Sequence, residues 1–169
     1  MEHLVVMGVS GTGKSTVGRL VAEQLGRPFV EGDELHPAAN IDKMRAGIPL
    51  TDDDRGPWLR AVRDAMDDAG GPTVVACSAL RRSYRDILRT ADGRVRFALL
   101  VATPEELARR LAARPGHFMP PSLLASQLAT LEPLAPDEDG ITVRSDDDPV
   151  ATATAAAQAL TENPQRPHP

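Results

Sequence analysis

The sequence predicts an α/β fold, a three-layer sandwich in which helices cover both faces of a five-stranded parallel sheet. Five short apolar stretches alternate with helical patterns along the 169 residues, as parallel βαβ units require. The first of these stretches leads into residues 8–15, Gly-Val-Ser-Gly-Thr-Gly-Lys-Ser. They match the pattern G-x-x-x-x-G-K-[ST] of a phosphate-binding loop, which joins such a strand to the helix that follows it.

Strands are predicted where apolar residues run together between turn signals. They cover, in order, residues 4–7, 28–31, 73–77, 95–101 and 141–143, of which the last is the weakest. Uninterrupted apolar runs are typical of strands buried on both faces and favour a parallel sheet. Because ligands of such sheets bind beyond the carboxyl ends of the strands, the residues after the first three strands are candidate site residues.

Helices are predicted between the strands from the spacing of apolar residues and from capping signals. They cover the segment from the phosphate loop to residue 25, then about 38–45, 57–68, 84–88, 104–113, 122–131 and 149–162. Prolines at first helical positions predict the starts at Pro57, Pro104 and Pro149. Thr103 and Glu106 have the spacing of a capping box.

Composition and charge exclude several classes of protein. The net charge of −5 argues against a general binder of nucleic acid or membrane surfaces, but is compatible with a local basic site for a small anion. The single cysteine, Cys77, excludes an internal disulfide and a multi-cysteine zinc site. No apolar run reaches the ~18–20 residues of a membrane span, and no signal peptide is recognised. A cytoplasmic protein is therefore expected.

The phosphate loop predicts where a nucleotide's phosphates bind. Its glycines let several backbone N–H groups point inward, and the following helix adds the positive end of its dipole. Lys14 is expected to reach the β- and γ-phosphates, and the Ser15 hydroxyl to bind Mg²⁺. The predicted nucleotide-binding residues are Gly8, Val9, Ser10, Gly11, Thr12, Gly13, Lys14, Ser15 and Thr16, together with Arg110.

Two acids after the second strand are candidates for contacts to an acceptor hydroxyl and to the metal. The third and fourth strands end without an aspartate, which leaves Glu31 and Asp33 at this edge of the sheet. Asp33 is predicted to orient the hydroxyl and accept its proton, and Glu31 to hold the water shell of Mg²⁺. If the chain stays extended, both side chains point the same way. The alternative for either acid is a solvated loop carboxylate.

Arginines beside the loop at 114–121 are candidates for neutralising charge on the transferred group. Arg110 and Arg114 are four residues apart and, with Arg109, lie on or just after the helix that precedes this loop. Phosphoryl transfer needs cations where charge builds up, and a Pro-Gly loop is able to hinge over bound nucleotide. The alternative is a solvated helix face.

Six blocks of sequence resemble the small gluconokinases of the phosphate-loop kinase superfamily. They are residues 32–44, 49–59, 77–86, 116–120, 124–127 and 131–133, of which the first reads Gly-Asp-Glu-Leu-His-Pro-Ala-Ala-Asn-Ile-Asp-Lys-Met. The resemblance implies ATP-dependent phosphorylation of the 6-hydroxyl of D-gluconate to 6-phosphogluconate, a shikimate-kinase-like core and often a homodimer. We expect one phosphate-loop kinase domain at 1–162, with a substrate-binding segment at about 32–69 and a lid at about 114–122, and then a disordered tail at 163–169.

The resemblance and the basic residues of segment 32–60 together predict the residues that hold the acceptor. They are Asp33, His36, Lys43, Arg55, Arg81, His117 and Gln127. Glu31 stands where the family often has aspartate, and Arg81 where lysine is common, but neither difference changes the reaction class. The alternatives are a kinase for another anionic acceptor, shikimate-like or a nucleotide, and a non-catalytic nucleotide switch. The sequence lacks the Asn-Lys-x-Asp motif of a GTPase, which disfavours the switch.

Overall fold

The computed structural model describes residues 1–114 and 121–162. Its strands are β1 (Glu2–Met7), β2 (Phe29–Glu31), β3 (Val74–Ala76), β4 (Arg94–Val101) and β5 (Gly140–Arg144). Its helices are α1 (Lys14–Leu25), α2 (Ala38–Arg45), α3 (Asp52–Asp68), α4 (Arg82–Leu88), α5 (Pro104–Ala112), α6 (Pro121–Thr130) and α7 (Pro149–Glu162), with a 3-10 turn at Gly32–Leu35. Within the described part of the chain, none of the helices has the length and apolar character needed to cross a membrane.

The five strands form one parallel sheet in the order β2-β3-β1-β4-β5. β1 is the central strand, where Leu4 pairs with Val74 on one side and with Arg96 on the other. Its residues from Leu4 to Met7 are at most 2 % exposed, which explains why they form an uninterrupted apolar run. The predicted parallel sheet is confirmed, and the phosphate loop leaves it at the middle of its carboxyl edge.

Helices cover both faces of the sheet because successive strand residues point to opposite faces. Val5 and Met7 belong to an apolar core shared with α3, α4, α5 and α6. Leu4 and Val6 belong to a second core shared with α1 and α7. The predicted three-layer sandwich is therefore confirmed.

The third helix begins earlier than the start predicted at Pro57. Thr51 is its N-cap and forms a capping box with Asp54, in which each side chain accepts a hydrogen bond from the other residue's N–H. The aspartates of the first turn add negative charge where the helix dipole favours it. Pro57 is accommodated inside the helix. The predicted start was wrong because the capping box, rather than the proline, determines where the helix begins.

The chain does not stay extended between the two acids that follow β2. Gly32–Leu35 forms a 3-10 turn, so Asp33 is carried by a turn and not by a continued strand. The turn packs tightly, since a Cβ on Gly32 would stand 2.4 Å from the Ala76 carbonyl oxygen. The Gly32 carbonyl oxygen accepts a hydrogen bond from Trp58 Nε1 at 2.8 Å. The extended chain that would make the Glu31 and Asp33 side chains point the same way is therefore not present.

Candidate active site

A pocket of about 600 Å³ opens beside the phosphate loop at the carboxyl edge of the sheet. Its walls come from the loop, the 3-10 turn, α2 with the chain that follows it, α3, the turn after β3, and α6. The lining residues are Ser10, Lys14, Asp33, His36, Ile41, Met44, Arg45, Ile48, Pro49, Leu50, Arg55, Trp58, Ser78, Leu123, Ser126 and Gln127. The pocket therefore brings part of the predicted nucleotide site together with four of the predicted acceptor residues.

The phosphate loop is held close to the sheet at its first residue. Gly8 has a φ of +148°, and a Cβ there would stand 2.7 Å from the Leu100 carbonyl oxygen, so the position requires glycine. The Gly8 N–H donates to the Ser78 carbonyl oxygen at 3.3 Å. At the other end of the loop, α1 begins at Lys14. The first N–H groups of a helix have no partner within it, so they are available to a phosphate.

Ser145, directly after β5, forms a hydrogen bond to the same loop. Its side chain is buried, and its hydroxyl donates to the Thr12 carbonyl oxygen at 2.8 Å while accepting from Arg110 Nη1 at 2.9 Å. Arg110 also pairs with Asp147 at 3.1 Å and lies 3.5 Å from the Gly11 carbonyl oxygen. Arg110, which was predicted to contact the nucleotide, thus lies against the phosphate loop.

Lys14 brings a positive charge into the pocket. Its ammonium group donates to the Val9 carbonyl oxygen at 3.4 Å. Burial lowers the pKa of Lys14, and the negative charge of Asp33 offsets part of that effect. A phosphate would supply the negative charge that a partly desolvated ammonium lacks, so the site favours an anionic ligand.

His36 is fixed as a neutral ring that faces Asp33. The ring stacks on Trp58 with 4.0 Å between centroids, and Asn40 Nδ2 donates to its Nδ1 at 3.3 Å, which leaves the proton on Nε2. Burial lowers the pKa of His36 below its ordinary 6.5, so the ring is neutral at pH 7. Nε2 lies 3.9 Å from Asp33 Oδ1, and the Asp33 side chain is 65 % exposed. Asp33 is therefore accessible to a ligand.

Two arginines predicted to hold the acceptor lie near the Tyr84 ring. Arg55 lines the pocket, is nearly buried, and has its guanidinium carbon 5.3 Å from the ring centroid. Arg81 lies 5.9 Å from the same centroid and pairs with Asp52 at 3.3 Å. The Tyr84 hydroxyl donates to the Asp52 carboxylate as well. The structure brings Arg55 into the pocket, whereas Arg81 is not among the lining residues.

Two other predicted site residues are engaged in ion pairs outside the pocket lining. Lys43 Nζ lies 2.7 Å from Asp54 Oδ2, and this contact lowers the pKa of Asp54 to about 2. Glu31 Oε2 lies 3.9 Å from Arg19 Nη2 at the end of β2. Lys43 thus supports the start of α3 in this structure.

The predicted lid falls largely outside the described residues. Arg114 lies beyond the end of α5 and is exposed, and its charge adds to burial in lowering the pKa of Lys14. His117 and the tail at 163–169 lie outside the described residues.

Sequence reasoning missed a buried ion pair between α4 and the chain before β5. The side chains of Arg85 and Glu138 are both 0 % exposed and form two hydrogen bonds, of 2.6 and 2.7 Å. Arg85 also donates to the carbonyl oxygens of Ala79, at 3.1 Å, and Glu132, at 3.2 Å. One guanidinium group therefore joins the turn after β3 to the chain after α6.

These two joined segments contain or adjoin pocket residues. Ser78 belongs to the turn after β3, and Gln127 lies on α6 just before the second segment. The available sequence signal was the position of Arg85 three residues before Leu88, on the face of α4 that is buried.

Comparisons with known proteins agree with this geometry. A family model described as shikimate kinase matches residues 10–162. A gluconokinase from Gluconobacter oxydans (strain 621H) is 53 % identical over 151 residues, which cover 88 % of this chain and 85 % of that protein. The thermoresistant gluconokinase of Escherichia coli (strain K12) is 43 % identical, with 90 % of this chain and 89 % of that protein covered.

A solved structure gives the same result in three dimensions. The crystal structure of a gluconokinase from Sinorhizobium meliloti 1021 matches with a TM-score of 0.86 and 49 % identity, covering 96 % of this chain and 94 % of that one. The chain therefore belongs to the gluconokinases, within the shikimate kinase family of phosphate-loop enzymes.

Proposed function

We propose that the protein transfers the γ-phosphoryl group of ATP to the 6-hydroxyl of D-gluconate and so forms 6-phosphogluconate. The observation that carries this proposal is a single pocket lined by Lys14 of the phosphate loop together with Asp33, His36 and Arg55. Transfer requires donor and acceptor to be held together in line. The gluconokinases to which the chain is similar supply the identity of the acceptor.

On the donor side, the loop N–H groups and Lys14 bind the β- and γ-phosphates. Arg110, which lies against the loop, and Arg114, which follows α5, supply positive charge as the transferred group develops negative charge. Thr16 completes the first helical turn that faces the phosphates.

On the acceptor side, Asp33 accepts the proton of the 6-hydroxyl as its oxygen attacks the γ-phosphorus and the bond to the ADP oxygen breaks. The Nε2–H of neutral His36 faces Asp33 at 3.9 Å. Arg55 binds the carboxylate of gluconate through charge-assisted hydrogen bonds. Lys43, Arg81 and His117 stay predictions for contacts to the same acceptor.

Mg²⁺ is expected to bind together with ATP and not at a site formed by protein ligands alone. Within residues 1–114 and 121–162, no group of three or more histidine, cysteine or acidic side chains is placed to hold a metal ion. One hydroxyl at Ser15 and one carboxylate at Glu31 suit Mg²⁺, which takes oxygen ligands and keeps several waters. When bound, the ion neutralises part of the charge of the β- and γ-phosphates.

A coupled ADP-release assay tests the acceptor. We expect the highest kcat/KM for D-gluconate among a panel that also contains other sugar acids, shikimate and nucleoside monophosphates. A clear preference for another member of the panel would overturn the acceptor while leaving the donor site intact. ADP release that is independent of every acceptor would overturn the kinase mechanism itself.

A further inference from the structure

Gln127 connects α6 to the phosphate loop. Its Oε1 accepts a hydrogen bond from the backbone N–H of Ser10 at 2.8 Å, across 117 positions of sequence. Both residues line the pocket that also contains Lys14 and Asp33. Among the residues that the structure describes, no other side chain accepts a hydrogen bond from a loop N–H. The contact therefore lies where the donor and acceptor sites meet.

This hydrogen bond fixes which way the Gln127 amide faces. A backbone N–H needs an acceptor, and the acceptor of a glutamine side chain is Oε1, so Nε2 occupies the opposite side of the amide. Within the described residues, the two N–H donors of Nε2 have no protein partner. They are available to an oxygen atom of a ligand in the pocket.

The backbone that carries Gln127 is itself well anchored. Leu124, one turn earlier on α6, is buried in the core. After the helix, the Glu132 N–H donates to the Leu80 carbonyl oxygen at 2.7 Å, and Arg85 donates to the Glu132 carbonyl oxygen at 3.2 Å. The position of the amide is thus set by the fold, which lowers the entropic cost of using it to hold a ligand.

We propose that Gln127 couples the binding of the two substrates. Its Oε1 keeps the hydrogen bond from the Ser10 N–H while Nε2 donates to an oxygen of the bound acceptor. The acceptor then restricts the motion of the phosphate loop, and the loop restricts the motion of the acceptor. The coupling is reciprocal, because an acceptor that tightens ATP binding must itself bind more tightly when ATP is present. This proposal rests on the proposed kinase function but not on the identity of the acceptor.

Calorimetry with a non-hydrolysable ATP analogue tests the coupling without relying on turnover. The dissociation constant of the analogue is measured with no acceptor and with saturating D-gluconate, or with whichever acceptor the ADP-release panel selects. For the unmodified protein we expect the acceptor to tighten analogue binding by about five-fold or more. The ratio should fall towards one in Gln127→Met, which has a similar shape but no hydrogen-bonding amide.

Two further variants make the test specific. Gln127→Glu can still accept from the Ser10 N–H but has no donor, so its coupling ratio should also fall towards one. The control Gln24→Met removes a glutamine that contacts Thr154 on the exposed surface, and should keep the ratio of the unmodified protein.

Three results would overturn the proposal. The first is a normal ratio in both Gln127 variants, and the second is a ratio of one in the unmodified protein. The third is tighter analogue binding by Gln127→Met without any acceptor, because Gln127 would then compete with phosphate for the Ser10 N–H. A different preferred acceptor would refute the gluconate assignment and leave this test in place.

Discussion

Replacing Arg85 with methionine is expected to destabilise the protein strongly, because it leaves a buried carboxylate with too few partners. Glu138 is fully buried and accepts two hydrogen bonds from Arg85. Breaking a buried ion pair by removing one partner costs about 3–5 kcal/mol. Glu138 would keep Arg89 at 3.2 Å and the Ala135 N–H at 2.9 Å, so we expect a loss near the lower end, about 3 kcal/mol.

Urea unfolding at pH 7 measures this loss. The control is Arg82→Met, since Arg82 pairs with Asp137 on the exposed surface and such pairs contribute little to stability. Replacing both partners, as Arg85→Met with Glu138→Leu, should destabilise less than Arg85→Met alone because no unpaired charge is then buried. A loss for Arg85→Met no larger than that of the control would refute the reasoning.

The pH dependence of the same loss gives a second check. Burial would raise the pKa of Glu138, but hydrogen bonds from Arg85 and from the Ala135 N–H outweigh it and hold the pKa below its ordinary 4.5. The stability that this carboxylate contributes is therefore present above pH 4.5 and is lost as the pH falls through the lowered pKa. The difference between the unmodified protein and Arg85→Met should be largest well above pH 4.5 and should shrink at lower pH.

Two further predictions concern the pocket, and a third concerns Cys77 in the apolar core. Lys14→Ala should lower kcat by roughly 10²-fold or more without changing the urea midpoint, and near-normal turnover would exclude the assigned phosphate chemistry. Asp33→Asn should lower kcat by roughly 10²–10⁴-fold with little change in ATP affinity. The control Glu34→Gln, which changes the neighbouring exposed acid, should stay active. Equal kcat values in the two variants would exclude Asp33 as the proton acceptor. Burial raises the pKa of the Cys77 thiol to about 12, so thiol reagents at pH 8 should label it only after unfolding, and rapid labelling of the folded protein would contradict its burial.

The parts of the fold that could be predicted are those with a local signature. The phosphate loop follows an apolar strand and has every fixed residue of its motif. Thr103 and Glu106 form the capping box that their spacing predicts. The capping box at Thr51 and Asp54 has the same kind of local signal. Pro57 also has the signature of a first helical position, and the two signals predict different starts for the same helix.

The parts that could not be predicted depend on residues far apart in sequence. The contact of Ser10 with Gln127 spans 117 positions, and that of Arg85 with Glu138 spans 53. No spacing rule along the chain specifies which side chain meets which across such distances. The sequence predicted Gln127 as an acceptor residue from its resemblance block, but its hydrogen bond to the loop appears only once the helices are packed on the sheet.

The central claim is that one pocket brings the terminal phosphate of ATP to the 6-hydroxyl of D-gluconate. The most direct measurement follows the label from γ-labelled ATP during turnover with D-gluconate and Mg²⁺, with the Lys14→Ala variant as the control. We predict that the label appears in 6-phosphogluconate in step with ADP formation, and that the control transfers almost none. The claim would be contradicted if the label appeared solely in inorganic phosphate. It would also be contradicted if, with a competing acceptor present, the label appeared in that acceptor and not in gluconate.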